Sequence, residues 1–474
     1  MPLETISFRK TRYFSSLICD YLDEKPQLHQ FYNRFPKLEN FKEQIEEKRH
    51  SEFVSESHRK VLVSVLKKQY QQIDTSKLTL KNIESLQQEN TFTVTTGHQL
   101  NVFTGPLYFL YKIVSTINLA KELKITYPNC HFVPVYWMAT EDHDFDEINY
   151  FNYKGKKVQW NRDSSGAVGE LSTDGLEQVF ELFSQDLGVG DHADELRGLF
   201  SEAYLKHDNL TDATRFLANA LFSEYGLVII DANNTELKKQ FIPFVKKELF
   251  YQTSFELVSK TNKEINELPN QPYGIQVNPR EINLFYLKEN LRERIVFENG
   301  IYSVVNTEIT WTKEDILKEL EKYPERFSPN VITRPLYQEV ILPNLCYIGG
   351  GGELAYWLQL KSFFNEVNVP FPLLLLRNSV LIQSSQQQKK LKNLNVSKED
   401  IFLKRDAFIN KKVRQISNIN IDFSSQKKHL SQQFKELYNL AEQTDKSFLG
   451  AVKAQEVKQM KGLDALEKSE AKRS

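Results

Sequence analysis

The chain has 474 residues, which at roughly 150 residues per domain suggests about three structural units. Hydrophobic residues make up 40% and charged residues 26%, the balance of an ordinary globular protein, which excludes disordered, collagenous and membrane compositions. Lys and Arg number 61 against 62 Asp and Glu, so no global field favours nucleic acid or an anionic membrane, and any anion must be held by a local site.

The N-terminal MPLETISFRKTRYF interrupts with charge the apolar run a secretory signal would need, and no stretch reaches the ~18 apolar residues of a membrane span. The chain therefore reads as cytoplasmic. Its three cysteines, Cys19, Cys130 and Cys346, form no CxxC pair, which excludes a disulfide framework and a cysteine-based zinc cluster.

Residues 1 to about 90 read as a charged helical layer, with Phe53, Val54, Val61, Leu62, Val65 and Leu66 at helical spacing. At Thr91 the character changes. TFTVTTGHQLNVFTGP followed by LYFLYKIVSTINLAKEL predicts a strand, a glycine loop and a long helix with Thr104 as its cap, and FVPVYWMA (132–139) predicts a second, buried strand. This is a βαβ unit of an α/β sheet, whose ligands bind beyond the carboxyl ends of the strands.

Two candidate loops lie at such ends. Gly97, His98, Thr104 and Gly105 offer close backbone approach, a hydroxyl and helix N-terminal amides to an ATP phosphate or a carboxylate, although a Gly-Pro turn also serves as a plain helix start. Glu141, Asp142, His143, Asp144, Asp146 and Glu147 pack five carboxylates and an imidazole into seven positions. Such a set can hold Mg²⁺, bind a substrate ammonium or supply a general base, with His143 as one candidate base; the histidine and cysteine partners that zinc requires are missing.

Further on, YFNYKGKKVQW predicts a hairpin, and GLVIIDAN a short buried strand ending at Asp231. YGIQVNPREINLFYL alternates like a strand pair, and IVFENGIYSVV turns at Asn-Gly. The segment 331–382 reads as a strand, the glycines 349–352, a helix over 353–364 and a final strand. Gly350, Gly351 and Glu353 resemble an anion cradle at a helix start, and Arg280, Arg334 and Arg377 are candidate anion clamps. Beyond Gln383, Leu430, Phe434, Leu437, Ala441 and Phe448 suggest a coiled-coil seam.

Taken together, TTGHQLNVFTGPLYFLYKI, FVPVYWMATEDHDFDEIN, QVNPREINLFYL and TRPLYQEVILPNLCYIGGGGELAYWLQLK resemble, in order, blocks of the bacillithiol biosynthesis BshC family. The resemblance implies an α/β fold with a Rossmann-like core related to class I aminoacyl-tRNA synthetases, connective insertions and a C-terminal helical coiled coil that forms a homodimer and continues past LEKSEAKRS. The expected division is 1–150 for the N-terminal helices and first half of the core, 151–225 for an insertion, 226–382 for the second half of the core with a smaller insertion, and 383–474 for the coiled coil.

The implied reaction joins L-cysteine to glucosaminyl-malate as an amide, giving bacillithiol, with ATP or ADP and Mg²⁺ as expected cofactors and no dedicated metal-ligand set. Asp142, His143 and Asp144 are the candidate catalytic residues. Gly97, His98, Thr104, Gly105, Arg280, Arg334, Gly350, Gly351 and Glu353 are the candidate substrate- or nucleotide-binding residues. Where class I synthetase-like enzymes carry an HIGH-type signature, this chain reads Phe103, Thr104, Gly105, Pro106. The alternative is a non-catalytic nucleotide-binding or assembly protein of the same pathway.

Overall fold

The computed structural model describes residues 3–269, 273–416 and 422–473. Residues 15–381 form one compact unit, and residues 1–14 with 382–474 form another. In the larger unit the N-terminal layer contains α1 (Phe41–Arg49) and α2 (Glu56–Gln69), separated by a 3₁₀ turn at Glu52–Val54. Leu62, Val63, Val65 and Leu66 form the buried face of α2.

In chain order the strands are β1 (Thr91–His98), β2 (His131–Met138), the hairpin β3 (Tyr150–Tyr153) and β4 (Lys156–Gln159), β5 (Val228–Asp231), β6 (Leu284–Lys288), β7 (Leu291–Glu298), β8 (Ile301–Val304), β9 (Thr310–Trp311), β10 (Phe327–Pro329), β11 (Asn344–Gly349) and β12 (Leu373–Leu376). Five of them form one sheet in the spatial order β12-β11-β1-β2-β5, and every neighbouring pair is parallel. All five strands therefore end on the same edge.

This is the Rossmann-like order. From β1 the chain steps outward to β2 and β5, then returns to the other side of β1 for β11 and β12. The direction of winding reverses between β1 and β11, and the crevice beyond their carboxyl ends is where an open α/β sheet receives its ligand. β1 is buried along its whole length: Phe92 and Val94 line one face, while Thr93 and Thr95 on the other donate their hydroxyls to Asn344 of β11. Helix α3 (Tyr108–Thr126) links β1 to β2; its Leu119 and Leu123 pack with Phe41, Ile45, Phe92, Phe132, Leu345 and Ile348 in one core cluster.

Helix α4 (Thr235–Tyr251) follows β5. A second sheet, antiparallel in the order β10-β6-β7-β8-β9, sits in the same unit, and its β7–β8 turn is the expected Asn-Gly, with φ of 52° at Asn299 and 82° at Gly300.

Three expectations differ locally. The strand expected ahead of the glycines is β11, but it occupies only Asn344–Gly349, and the stretch after Val331 is α5 (Thr333–Ile341), because Pro335 fits a first helical turn and Leu336, Tyr337, Val340 and Ile341 bury at helical spacing. The helix read over 353–364 is divided into α6 (Gly351–Leu358) and a short helix at Lys361–Glu366. The segment before β6 is loop rather than the first arm of a strand pair.

In the smaller unit, α7 (Ser424–Thr444) and α8 (Leu449–Arg473) pack on each other; Lys427 bridges Asp464 and Glu467, both at 2.6 Å, and Tyr438 donates to Glu456 at 2.9 Å. Phe434 and Ala441 are buried, whereas Leu437 and Phe448 of the expected seam are exposed. Among the described residues no helix is long and apolar enough to cross a membrane.

One buried ion pair ties the helical layer to the sheet. Lys48 of α1 and Glu339 of α5 meet at 3.0 Å with both side chains 0% exposed. Glu339 also accepts from Asn344 at 2.6 Å, and Asn344 in turn accepts from the hydroxyls of Thr93 and Thr95. Removing one partner leaves the other as an uncompensated buried charge. Lys48→Met should therefore lower unfolding free energy by about 3–5 kcal/mol, read from the denaturant midpoint.

Candidate active site

The crevice between β1 and β11 begins at Gly97. A side chain there would stand 3.2 Å from the Tyr347 hydroxyl and 3.8 Å from Arg334 Nη1, so glycine lets both groups approach the backbone of β1 closely. The Gly97 carbonyl accepts from Lys112 Nζ at 2.7 Å, and Lys112 pairs with Glu353 at 2.6 Å. Glu353 also accepts from the Gly350 amide at 2.8 Å and the Tyr347 hydroxyl at 2.6 Å. Burial raises its carboxyl, but Lys112, the amide and the hydroxyl outweigh burial and hold it below the usual range. Burial lowers the Lys112 ammonium, and Glu353 opposes that shift.

Around this pair lie two further cations. Arg334 of α5 donates to Gln338 and to the Tyr356 hydroxyl, each at 3.2 Å, and lies beside the Trp137 and Tyr347 rings. Among the described residues it makes no ion pair with a carboxylate. Burial lowers its guanidinium, yet Tyr356, Tyr347 and Glu353 raise it overall, so the charge is retained. Arg377, just after β12, lies over the Tyr108 ring, and its buried Nε has no hydrogen-bond partner. A side chain at Gly350 would come within 3.7 Å of that Nε. Three cations against one carboxylate leave the crevice with surplus positive charge, and Gly350 and Gly351 lie at the N-terminus of α6, where backbone amides favour anions.

His98 closes β1. Its Nδ1 lies 2.9 Å from the Gln99 carbonyl, which can only accept, so the proton sits on Nδ1 and the buried Nε2 is bare and unpartnered. Burial first, then Lys112, pushes the imidazole down to about 3. After it, Phe103, Thr104 and Gly105 adopt φ of 46°, 68° and 56°, three left-handed residues in succession. Phe103 is held by its backbone N–H, which donates to the Tyr204 hydroxyl at 2.7 Å, and by the rings of Phe151, Phe183 and Phe200 at 5.2–5.4 Å. Thr104 thus lies inside a tight turn and does not cap α3, which starts at Tyr108.

The acidic loop follows β2 on the same edge. Gln99 joins the two loops: its amide donates to Asp142 at 2.9 Å and to Glu147 at 2.8 Å. The other acids have separate duties. Glu141 pairs with the buried Lys238 at 2.5 Å, and Asp144 caps the short helix Phe145–Ile148 through the Glu147 amide at 3.3 Å. His143 stands beside Phe285, and its Nδ1 receives a hydrogen bond from Arg292 of β7 at 2.6 Å. Among the described residues no cluster of three or more His, Cys, Asp and Glu is placed to hold a metal ion.

The structure therefore gathers Gly97, His98, Arg334, Gly350, Gly351 and Glu353 at the crevice, with Thr104 and Gly105 in the loop beside it and Asp142, His143 and Asp144 on the adjoining strand end. Arg280 is exposed, and only its backbone is tied down, through Asn283. Sequence reasoning missed Gln99, Lys238, Tyr347 and Arg292, because an ordinary polar residue carries no signal of the distant chain it will meet.

Comparison with known proteins gives a consistent result. A family model described as the N-terminal Rossmann-like domain of bacillithiol biosynthesis BshC matches residues 1–378, and one for its C-terminal coiled-coil domain matches residues 380–474. A protein of Flavobacterium johnsoniae is 60% identical over 469 residues, covering 99% of this chain and 87% of its own length. Proteins of Cytophaga hutchinsonii and of Bacillus cereus strain AH187 are 37% and 30% identical, covering 98% and 82% of this chain and 86% and 72% of their own lengths. All three carry the name "Putative cysteine ligase BshC".

Two outcomes test this geometry. At Gly105 a side chain would approach Asn101 Cβ to 2.5 Å at a φ of +56°, so Gly105→Ala should cost more than about 1 kcal/mol in a denaturant titration. Glu353 stays ionised in the folded chain where an unfolded glutamate, near 4.3, takes a proton; its stabilisation is complete above that value and is lost as pH falls through the depressed folded value. Below about pH 4.3 the stability of the natural chain should fall more steeply than that of Glu353→Gln.

Proposed function

The chain belongs to the bacillithiol biosynthesis BshC family, and from that premise we propose that it joins L-cysteine to glucosaminyl-malate in the cytoplasm, with ATP activating the cysteine carboxylate. The carrying observation is the two-sided site. An arginine-rich crevice at the winding reversal adjoins an acidic loop, and Gln99 bonds one to the other.

An unactivated carboxylate does not acylate an amine. The cysteine carboxylate attacks a phosphorus of ATP, expelling pyrophosphate or ADP, and becomes an acyl-adenylate or acyl phosphate. The bare backbones of Gly97, Gly350 and Gly351 admit the phosphate. Arg334 and Arg377 hold the anionic groups, the phosphate and the malate carboxylates, through guanidinium forks. Mg²⁺ would enter with the nucleotide phosphates, since among the described residues no group of three or more His, Cys, Asp and Glu is placed to hold it. On the acidic side Asp142 receives the glucosamine amine and takes its proton as the amide forms. Arg280 has no part in this reading. We further propose a homodimer through the helical C-terminal unit, supported by the exposed Leu437, Leu440, Val457 and Leu466, with light scattering as its check.

The test is direct. Purified protein with L-cysteine, ATP, Mg²⁺ and glucosaminyl-malate should yield bacillithiol by mass spectrometry. Arg334→Ala should lower kcat/KM by about 100-fold, as expected for about 3 kcal/mol of lost charge-assisted bonding, with Arg334→Lys in between. Folded protein that binds nucleotide yet gives no product under any nucleotide or metal condition would overturn the reading in favour of an assembly role.

A further inference from the structure

We propose that Arg292, from a strand of the second sheet, is a positioning residue that fixes His143 in the form whose Nε2–H donates, so that His143 holds the oxygen of the acyl group under attack and is not the base. The inference deepens the ligase reading and rests on it.

The guanidinium decides the chemistry of the ring. Arginine has donors and no acceptor, so at 2.6 Å from Arg292 Nη1 the Nδ1 of His143 must be the bare nitrogen and Nε2 must carry the hydrogen. Phe285 supports both partners: the Arg292 guanidinium lies 4.0 Å from its ring centre, and the imidazole centre lies 5.5 Å away. Arg292 Nε also reaches the Ser328 hydroxyl at 3.4 Å, so β6, β7 and β10 together set the position of one side chain on the acidic loop. The charged groups around the pair are Asp142, whose Oδ1 is 3.7 Å from Nδ1, with Glu141 and Lys238 beyond it. Asp142 accepts from the His143 amide at 2.7 Å, so the carboxylate that takes a proton and the imidazole that lends one are adjacent in the chain.

In the step itself the amine lone pair forms the C–N bond, and the carbonyl π pair moves onto oxygen, where Nε2–H meets it. Collapse of that oxyanion breaks the C–O bond to the activating phosphate, which leaves with the bonding pair. The amine proton goes to Asp142, and His143 keeps its own hydrogen throughout. A neutral imidazole used as a hydrogen-bond donor is established chemistry in other enzymes.

The first test needs no activity. In protein labelled with ¹⁵N-histidine, the His143 signals, assigned by their absence from His143→Gln, should show a bare Nδ1 and a protonated Nε2 at pH 7.5. Arg292→Leu should change that pattern, and Arg292→Lys, which still donates, should restore it. A protonated Nδ1 in the natural chain would overturn the proposal, whatever the fate of the ligase reading. The second test is kinetic: His143→Gln, whose amide can still donate, should stay within about tenfold of the natural kcat, while His143→Ala should lose about 100-fold or more. Equal loss in both variants would identify His143 as the base and refute the assignment. If neither the natural chain nor any variant makes product, the ligase reading fails, and the ¹⁵N pattern still decides the role of Arg292.

Discussion

A partly buried carboxylate, Glu353, joins four pieces of chain at the place where the sheet reverses its winding. It receives Lys112 from α3, the amide of Gly350 at the foot of α6 and the hydroxyl of Tyr347 from β11, and through Lys112 it reaches the carbonyl of Gly97 on β1. An ion pair in such a position is rarely the most stable choice, since apolar side chains of the same volume often serve as well. Here it cancels one cation and leaves Arg334 and Arg377 uncancelled, so the same network that closes the junction also sets its residual charge.

The acidic loop shows the complementary economy. Its sequence offers five carboxylates, and the structure gives two of them local tasks: Glu141 neutralises Lys238 and Asp144 begins a short helix. Asp142 and Glu147 share the Gln99 amide, which faces the crevice loop. Dense charge after a strand is thus less a single site than a set of anchors around one or two working groups.

How much of this could be read from the chain depends on the range of the interactions. The unit from β1 to β2 was legible because its β-branched run, glycine loop and long helix are local patterns, and the blocks quoted from the sequence carried the family and with it the Rossmann-like order. The strand ahead of the glycines is legible and is β11, whereas its start is not, since Leu336, Tyr337, Val340 and Ile341 suit either state and only the burial of successive turns makes 333–341 a helix. The glycines at 97 and 350 were legible as places of close approach. The purposes of Arg292 and Lys238 were not, since each lies on an unremarkable strand or helix and acquires meaning only from a carboxylate or imidazole far away in the chain.

The three left-handed residues after Asn101–Val102 have a wider implication. Phe103 holds that turn by inserting its ring among Phe151, Phe183 and Phe200, all supplied by the segment inserted between β2 and β5. That insertion is therefore a mould for the backbone beside the crevice. Divergence within it is constrained by the shape of a loop to which it contributes no residue, and grafting a foreign stretch in place of residues 150–204 would reshape that loop without altering a single residue of it.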